Sequence, residues 1–308
     1  MKKVFKFLAL LIVLLVIAFF VLQKKSIPLE ILKKKYTTAD SKFMELDGMQ
    51  VHYRMEGNGT PIVLIHGTGS ALQTWDGWMD SLLAHQFNVI RLDMPAFGLT
   101  GPRSDKDYST KMYVDFLDRF LQQLGIDTFA LAGNSLGGEI AWKYALAHPS
   151  KVSNLILVDP AGFYAEDKQN GAIVFKLAKY KWMAQLISRM DTKILVDKTL
   201  KDVYEDDSKI TDKTKSLYYD ISMRDGNRES FTERVQQIGQ EQIVDIRKIE
   251  TPTLIQWGQQ DKLIDISMLE NFKKIKNNTA IIYENCGHVP QEEIPSKSVH
   301  DVLLFLKK

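Results

Sequence analysis

The chain has 308 residues, 45% hydrophobic and 25% charged, which fits a folded protein with one large core and excludes a disordered or fibrous chain. Its net charge of +2 is unevenly spread: residues 1–35 hold eight Lys and one Glu, a balance of +7, so the other 32 basic and 37 acidic residues leave −5 and no nucleic-acid footprint. The single cysteine, Cys286, excludes an intramolecular disulfide and a cysteine-based zinc site.

Val4 to Leu22 is almost wholly apolar, broken only by Lys6 and flanked by Lys2, Lys3, Lys24 and Lys25. That length just spans a bilayer. A secretory signal would carry a shorter apolar region ending in a small-x-small site, whereas Ala18 is followed by Phe19, Phe20, Val21 and Leu22. Residues 1–25 therefore read as an uncleaved, single-pass anchor in a cell membrane, and 26–40 as a basic stem. Lys33 to Lys35 either meet anionic lipid or simply end that stem. Positive charge on both flanks leaves the facing side open.

Phe43 to Leu46 and Val51 to Met55, separated by Asp47-Gly48, predict a β-hairpin. Continuous apolar runs follow at Pro61 to Ile65, Val89 to Leu92, Phe129 to Ala132, Leu155 to Val158, Thr253 to Gln256 and Ala280 to Tyr283. Such runs suit strands buried on both faces of a parallel sheet. Helical periodicity fills Thr110 to Leu124, Leu136 to Ala147, Ser267 to Ile275 and Ser298 to Leu306. The alternation predicts a mostly parallel, doubly wound α/β sheet. From about Tyr164 to Val244 the pattern is helical throughout, which reads as a helical lid between core segments 41–163 and 245–308. Its apolar residues, such as Ile173, Phe175, Trp182 and Ile187, either pack on the domain beneath or line a substrate pocket.

Gly133-Asn134-Ser135-Leu136-Gly137 matches G-x-S-x-G, a pattern that composition alone yields about 0.06 times per chain, so context has to decide. It directly follows an apolar run and precedes a helical segment, the strand-turn-helix setting of a nucleophile elbow. Gly133, Gly137 and Gly138 supply the clearance an exposed serine needs there. A serine hydroxyl needs a base. Of six histidines, His288 in Cys286-Gly287-His288-Val289-Pro290 follows the last strand and can reach over the sheet edge; His66, His148, His52, His85 and His300 sit in less suitable places. The base needs a carboxylate. Asp261 follows the strand Thr253 to Gln256, and the order Ser135, Asp261, His288 is that of an α/β sheet triad. Asp265 and Asp159 compete, Asp265 as the cap of the next helix. The backbone N–H groups of Thr68, in His66-Gly67-Thr68-Gly69-Ser70, and of Leu136 are the expected oxyanion donors. A phosphate loop is disfavoured because the Gly-Lys-Ser/Thr ending is absent.

Taken with Arg91-Leu-Asp93-Met-Pro95-Ala-Phe-Gly98, Ala147-His148-Pro149, Gly258 to Asp261, Glu292 and Pro295, these residues resemble the α/β-hydrolase superfamily over about residues 41–307, and within it the lid-bearing branch of esterases, haloperoxidase-like enzymes and carbon-carbon bond hydrolases. Relatives usually carry Gly where this chain has Ala96. The serine at the elbow separates it from dehalogenases and epoxide hydrolases, which use Asp. The resemblance implies attack by Ser135 on an ester-like carbonyl, proton relay by His288, and hydrolysis of the acyl-enzyme by water. The expected function is membrane-anchored hydrolysis of small or medium apolar acyl esters, with no metal or organic cofactor. Acyl transfer or cleavage of a carbon-carbon bond in a dienoic acid would use the same triad, and a catalytically idle, membrane-tethered binding module is the remaining class.

Overall fold

The computed structural model describes residues 23–163, 173–239 and 244–307. The expected apolar span lies outside them, as do 164–172 and 240–243 at the two ends of the expected lid. Among the described residues no helix is long and apolar enough to cross a membrane.

Eight strands form one sheet in the order β1-β2-β4-β3-β5-β6-β7-β8. They are β1 (Ser41–Leu46), β2 (Met49–Glu56), β3 (Thr60–Ile65), β4 (Phe87–Leu92), β5 (Phe129–Asn134), β6 (Val152–Val158), β7 (Thr253–Gly258) and β8 (Asn278–Tyr283). β1 and β2 are the expected hairpin, closed by Leu46 opposite Met49. Asp47 and Gly48 both take positive φ, 53° and 74°, the geometry whose twist matches antiparallel strands. β2 also runs antiparallel to β4, and every pairing from β4 to β8 is parallel.

The apolar runs are continuous because alternate residues serve two cores. On β3, Val63 and Ile65 pack on one face while Ile62 and Leu64 pack on the other, and Leu155/Leu157 against Ile156/Val158 divide β6 in the same way. One face is covered by α3 (Thr110–Leu124) and α4 (Leu136–Ala147), the other by α2 (Asp76–Ala84) and α12 (Pro295–Leu306). Each fully buried Leu or Ile contributes about 2 kcal/mol, so both layers are needed to hold the sheet. α3 starts on the Ser109 side chain, which accepts from the Met112 N–H, and ends at Gly125 with φ 69°.

Two expectations fail at one edge. β8 is only half-buried, with Ile282 exposed, because no described strand pairs with its outer side. The predicted helix over Ser267–Ile275 is instead a 3₁₀ turn, Ile266–Met268, followed by the single-turn α10 (Leu269–Phe272).

Between β6 and β7 the described chain contains helices and no named strand: α5 (Ile173–Ala178), α6 (Lys181–Ile187), α7 (Lys193–Val203), α8 (Asp212–Met223) and α9 (Asn227–Gln237). The stem carries α1 (Leu29–Tyr36), which the sequence reading missed. It packs on these helices, with the Ile27 N–H donating to Met223 O at 2.7 Å and Lys35 Nζ lying 2.6 Å from Asp220.

Candidate active site

Ser135 is the junction residue between β5 and α4, with φ 55° and ψ −116°. An L-residue held there stores roughly 1–3 kcal/mol of strain, so the surroundings must over-determine it. They do: the Ser135 N–H donates to Val158 O, and its carbonyl accepts from Glu139 and Ala161, each at 3.0 Å. Position 133 has room only for hydrogen, since a Cβ would sit 2.1 Å from Gly137 O. Gly133→Ala is therefore expected to lower stability by about 3 kcal/mol or more, checked by urea denaturation, because backbone on both sides must move.

His288 lies in the loop between β8 and α11 (Pro290–Glu293) and is nearly fully buried. Its N–H donates to Val203 O at 2.7 Å, at the end of α7, and its carbonyl accepts from Asn134 Nδ2 at 3.0 Å, beside the elbow. Nδ1 is 2.7 Å from Asp261 Oδ2. The other Asp261 oxygen accepts from the Leu263 and Ile264 N–H groups at 2.7 and 3.0 Å, which fixes the carboxylate's orientation. Of the two competing aspartates, Asp265 caps the following 3₁₀ turn through the Ser267 N–H. Asp159 is fully buried at the end of β6, takes positive φ (43°), and accepts from the Gly258 N–H at 2.9 Å. Burial, and then the Asp261 charge, push its carboxyl well above the usual range.

Asp159, Asp261 and His288 each bring a ligand-type atom within 4.8 Å of the others. A cation among them would have to break the Asp261–His288 hydrogen bond, so the arrangement suits an oriented imidazole better than a metal.

Ser135, His288 and Thr68 share the wall of a cavity of about 150 Å³. The resting structure hydrogen-bonds His288 to Asp261 and sets Ser135 beside it as a common wall. Contacts between nucleophile and base often tighten only when substrate arrives. The rest of that wall is mainly apolar, including Phe175 and Ile187 from α5 and α6 and Leu195 and Leu200 from α7. A second cavity, about 140 Å³, meets the first at Thr68, Ser135, Phe175 and Leu263, and adds Lys176, Lys179 and Arg234. Thr68 lines both cavities and Leu136 the second, and the N–H group of neither donates to another described residue.

The remaining candidates fall outside. His66 is buried between Gly67 O at 2.7 Å and the Met94 N–H at 3.0 Å, and desolvation lowers its pKa, so it serves as a neutral strut for the Thr68 loop. His52 forms a second relay, Nδ1 to Asp93 at 2.7 Å and Nε2 to Ser41 at 3.0 Å. That trio lines neither cavity. The Cys286 thiol is buried and pushed upward by desolvation, hence inert.

Sequence reasoning missed a cluster joining the helical insertion to the core. Glu292 on α11 accepts from Tyr218 (2.6 Å), Tyr204 (2.7 Å) and Thr74, and Tyr218 also meets Ser70 of the Thr68 loop at 3.1 Å. Burial pushes the Glu292 carboxyl upward despite these donors. No spacing in the sequence relates residues 74, 204, 218 and 292. Replacing Glu292 by Leu leaves three hydroxyls without their acceptor and is expected to cost about 3 kcal/mol, measured as a lowered urea midpoint.

A family model described as the alpha/beta hydrolase fold matches residues 60–295. The 2-hydroxy-6-oxo-6-(2'-aminophenyl)hexa-2,4-dienoic acid hydrolase of Metapseudomonas resinovorans is 25% identical over 288 residues, covering 91% of this chain and 95% of that protein. The monoacylglycerol lipase abhd6-A of Xenopus laevis is 28% identical over 265 residues, covering 81% and 76%. Among solved structures, a membrane phospholipase A superposes with a TM-score of 0.76 at 26% identity, covering 100% of this chain and 98% of that one.

Proposed function

Since the chain belongs to the alpha/beta hydrolase fold family and is a hydrolase, we propose that it cleaves carboxylic esters of apolar acyl groups through Ser135, His288 and Asp261, while held at a membrane by residues 1–25. The observation that carries this reading is the mainly apolar cavity walled by both Ser135 and His288, with Thr68 in the same wall.

In this mechanism His288 Nε2 takes the Ser135 proton as Oγ attacks the acyl carbon. The carbonyl oxygen gains the negative charge, facing the Thr68 and Leu136 N–H groups, each worth about 3 kcal/mol in the transition state. Collapse returns the proton from His288 to the leaving alcohol and leaves an acyl-enzyme. Water, deprotonated by His288, then attacks the same carbon and releases the acid. Asp261 holds the imidazole in the tautomer with Nδ1–H, so that Nε2 is free to act as base.

Two cavities meeting at Ser135 suit an ester with a part on either side of the scissile bond. Each added acyl methylene contributes about 0.8 kcal/mol, so kcat/KM should rise about three- to four-fold per CH₂ until the apolar cavity is full. The monoacylglycerol and phospholipase names among the relatives support lipid-like esters.

One observation favours a second reading. The second cavity is lined by Lys176, Lys179 and Arg234, the last paired with Glu139 at 3.5 Å, a cationic setting that suits a substrate carboxylate, and a relative is named for a dienoic acid. Measuring kcat/KM on a series of 4-nitrophenyl acyl esters, a monoacylglycerol and a 2-hydroxy-6-oxodienoic acid separates the two. Preference for the dienoic acid over every ester would reject the ester reading. Fractionating cells that express the full chain, or a chain lacking residues 1–25, tests the anchor; a full-length protein in the soluble fraction would refute it.

A further inference from the structure

The described chain begins at Gln23, and its first contacts are with the helical insertion. Gln23 bridges to Met190, the Lys24 N–H donates to Arg189 O at 3.1 Å, and Lys24 Nζ pairs with Asp191 at 3.0 Å. Arg228 reaches back to Ser26 at 2.8 Å. The start of the described chain, Gln23 and Lys24, is therefore seated on the turn between α6 and α7.

That part has an unusual surface. Tyr180 is 62% exposed, Trp182 69% and Ile194 76%. The other four tryptophans, Trp75, Trp78, Trp142 and Trp257, are at most 1% exposed. The three apolar side chains bracket a basic stretch: between Tyr180 and Ile194 lie Lys181, Arg189 and Lys193 against the single acid Asp191, which pairs with Lys24. Exposed Tyr and Trp interleaved with Lys are suited to the boundary between acyl chains and headgroups, where rings enter the apolar layer and ammonium groups meet lipid phosphate. Trp182 lies on α6, which leads through a short turn to Met190, so the exposed rings and the seat of Gln23 belong to one continuous segment.

We propose that the α6–α7 face is a docking surface for an anionic lipid bilayer, pressed onto the same membrane that residues 1–25 enter. This deepens the anchored-hydrolase reading and rests on it for the substrate's route. Ile194 is exposed while its neighbours Leu195 and Val196 line the acyl cavity, so α7 has one side turned outward and another turned to the cavity that holds Ser135.

Because Trp182 is the only exposed tryptophan, its emission reports the contact directly. The test mixes the full chain with vesicles of phosphatidylcholine and phosphatidylglycerol, with and without brominated phosphatidylcholine. The expected result is quenching of the Trp182 share of the fluorescence, lost in Trp182→Phe. Tyr180→Ser with Ile194→Ser should lower turnover of vesicle-borne ester several-fold while leaving a soluble short-chain ester unaffected. Protein that floats with the vesicles yet shows no bromolipid quenching overturns the docking face and leaves the anchor intact. Protein that neither floats nor is quenched overturns both. Quenched protein released by high salt keeps the docking face and removes the anchor.

Discussion

Ser135→Ala should reduce ester turnover by about 10⁵- to 10⁶-fold and abolish covalent labelling by a fluorophosphonate, while the urea midpoint stays near that of the wild type. The structural reason for separating activity from stability is specific. The Ser135 hydroxyl makes no hydrogen bond to another described residue, so its loss leaves no buried partner unsatisfied. The backbone bonds that hold the elbow, from Ser135 N–H to Val158 and from Glu139 and Ala161 to the Ser135 carbonyl, do not involve the side chain. Alanine keeps the same Cβ at the same strained φ, so the strain is unchanged. An active, fluorophosphonate-reactive Ser135→Ala protein would place the nucleophile elsewhere.

The sheet was legible because its strands carry a pattern that few other structures allow. A run such as Pro61-Ile-Val-Leu-Ile65 must be dry on both faces, and helices on both sides of a parallel sheet supply that. The elbow was legible for a different reason: Gly133 and Gly137 mark a backbone crossing with no room for a Cβ, a demand local enough to be written in five residues. β8 misled because an edge strand can carry the same Ala-Ile-Ile-Tyr run while pairing on one side only. The Glu292 cluster and the seating of the stem on Met190 and Met223 were illegible because each depends on where long, independently folded segments come to rest. Ala96 belongs between these cases. Its positive φ of 81° is what a glycine in that position would permit, and the turn survives because the Ala96 N–H donates to Gly101 O at 2.7 Å.

Two aspartates near His288 should respond to the same change in opposite ways. Asp261→Asn is expected to lower kcat by about 10⁴-fold, because an amide in place of Oδ2 can present N–H to Nδ1 and select the wrong imidazole tautomer. Asp159→Asn should stay within about tenfold of the wild type, since burial and the Asp261 charge already push the Asp159 carboxyl upward and disfavour its charged form, and an amide oxygen can still accept from the Gly258 N–H. Stability gives an independent readout. A carboxyl whose folded pKa is raised contributes its stabilisation fully below its unfolded value, and that contribution is lost as pH climbs through the raised folded value. Asp159→Asn removes this loss, so the variant's unfolding free energy should gain on the wild type as pH rises, while Asp261→Asn, which removes only the Asp261 share of the upward push on Asp159, should gain less. Urea titrations across pH, paired with kcat at each pH, decide the assignment. If Asp159→Asn costs as much activity as Asp261→Asn, Asp159 is the charged partner of His288 and the roles of the two must be exchanged.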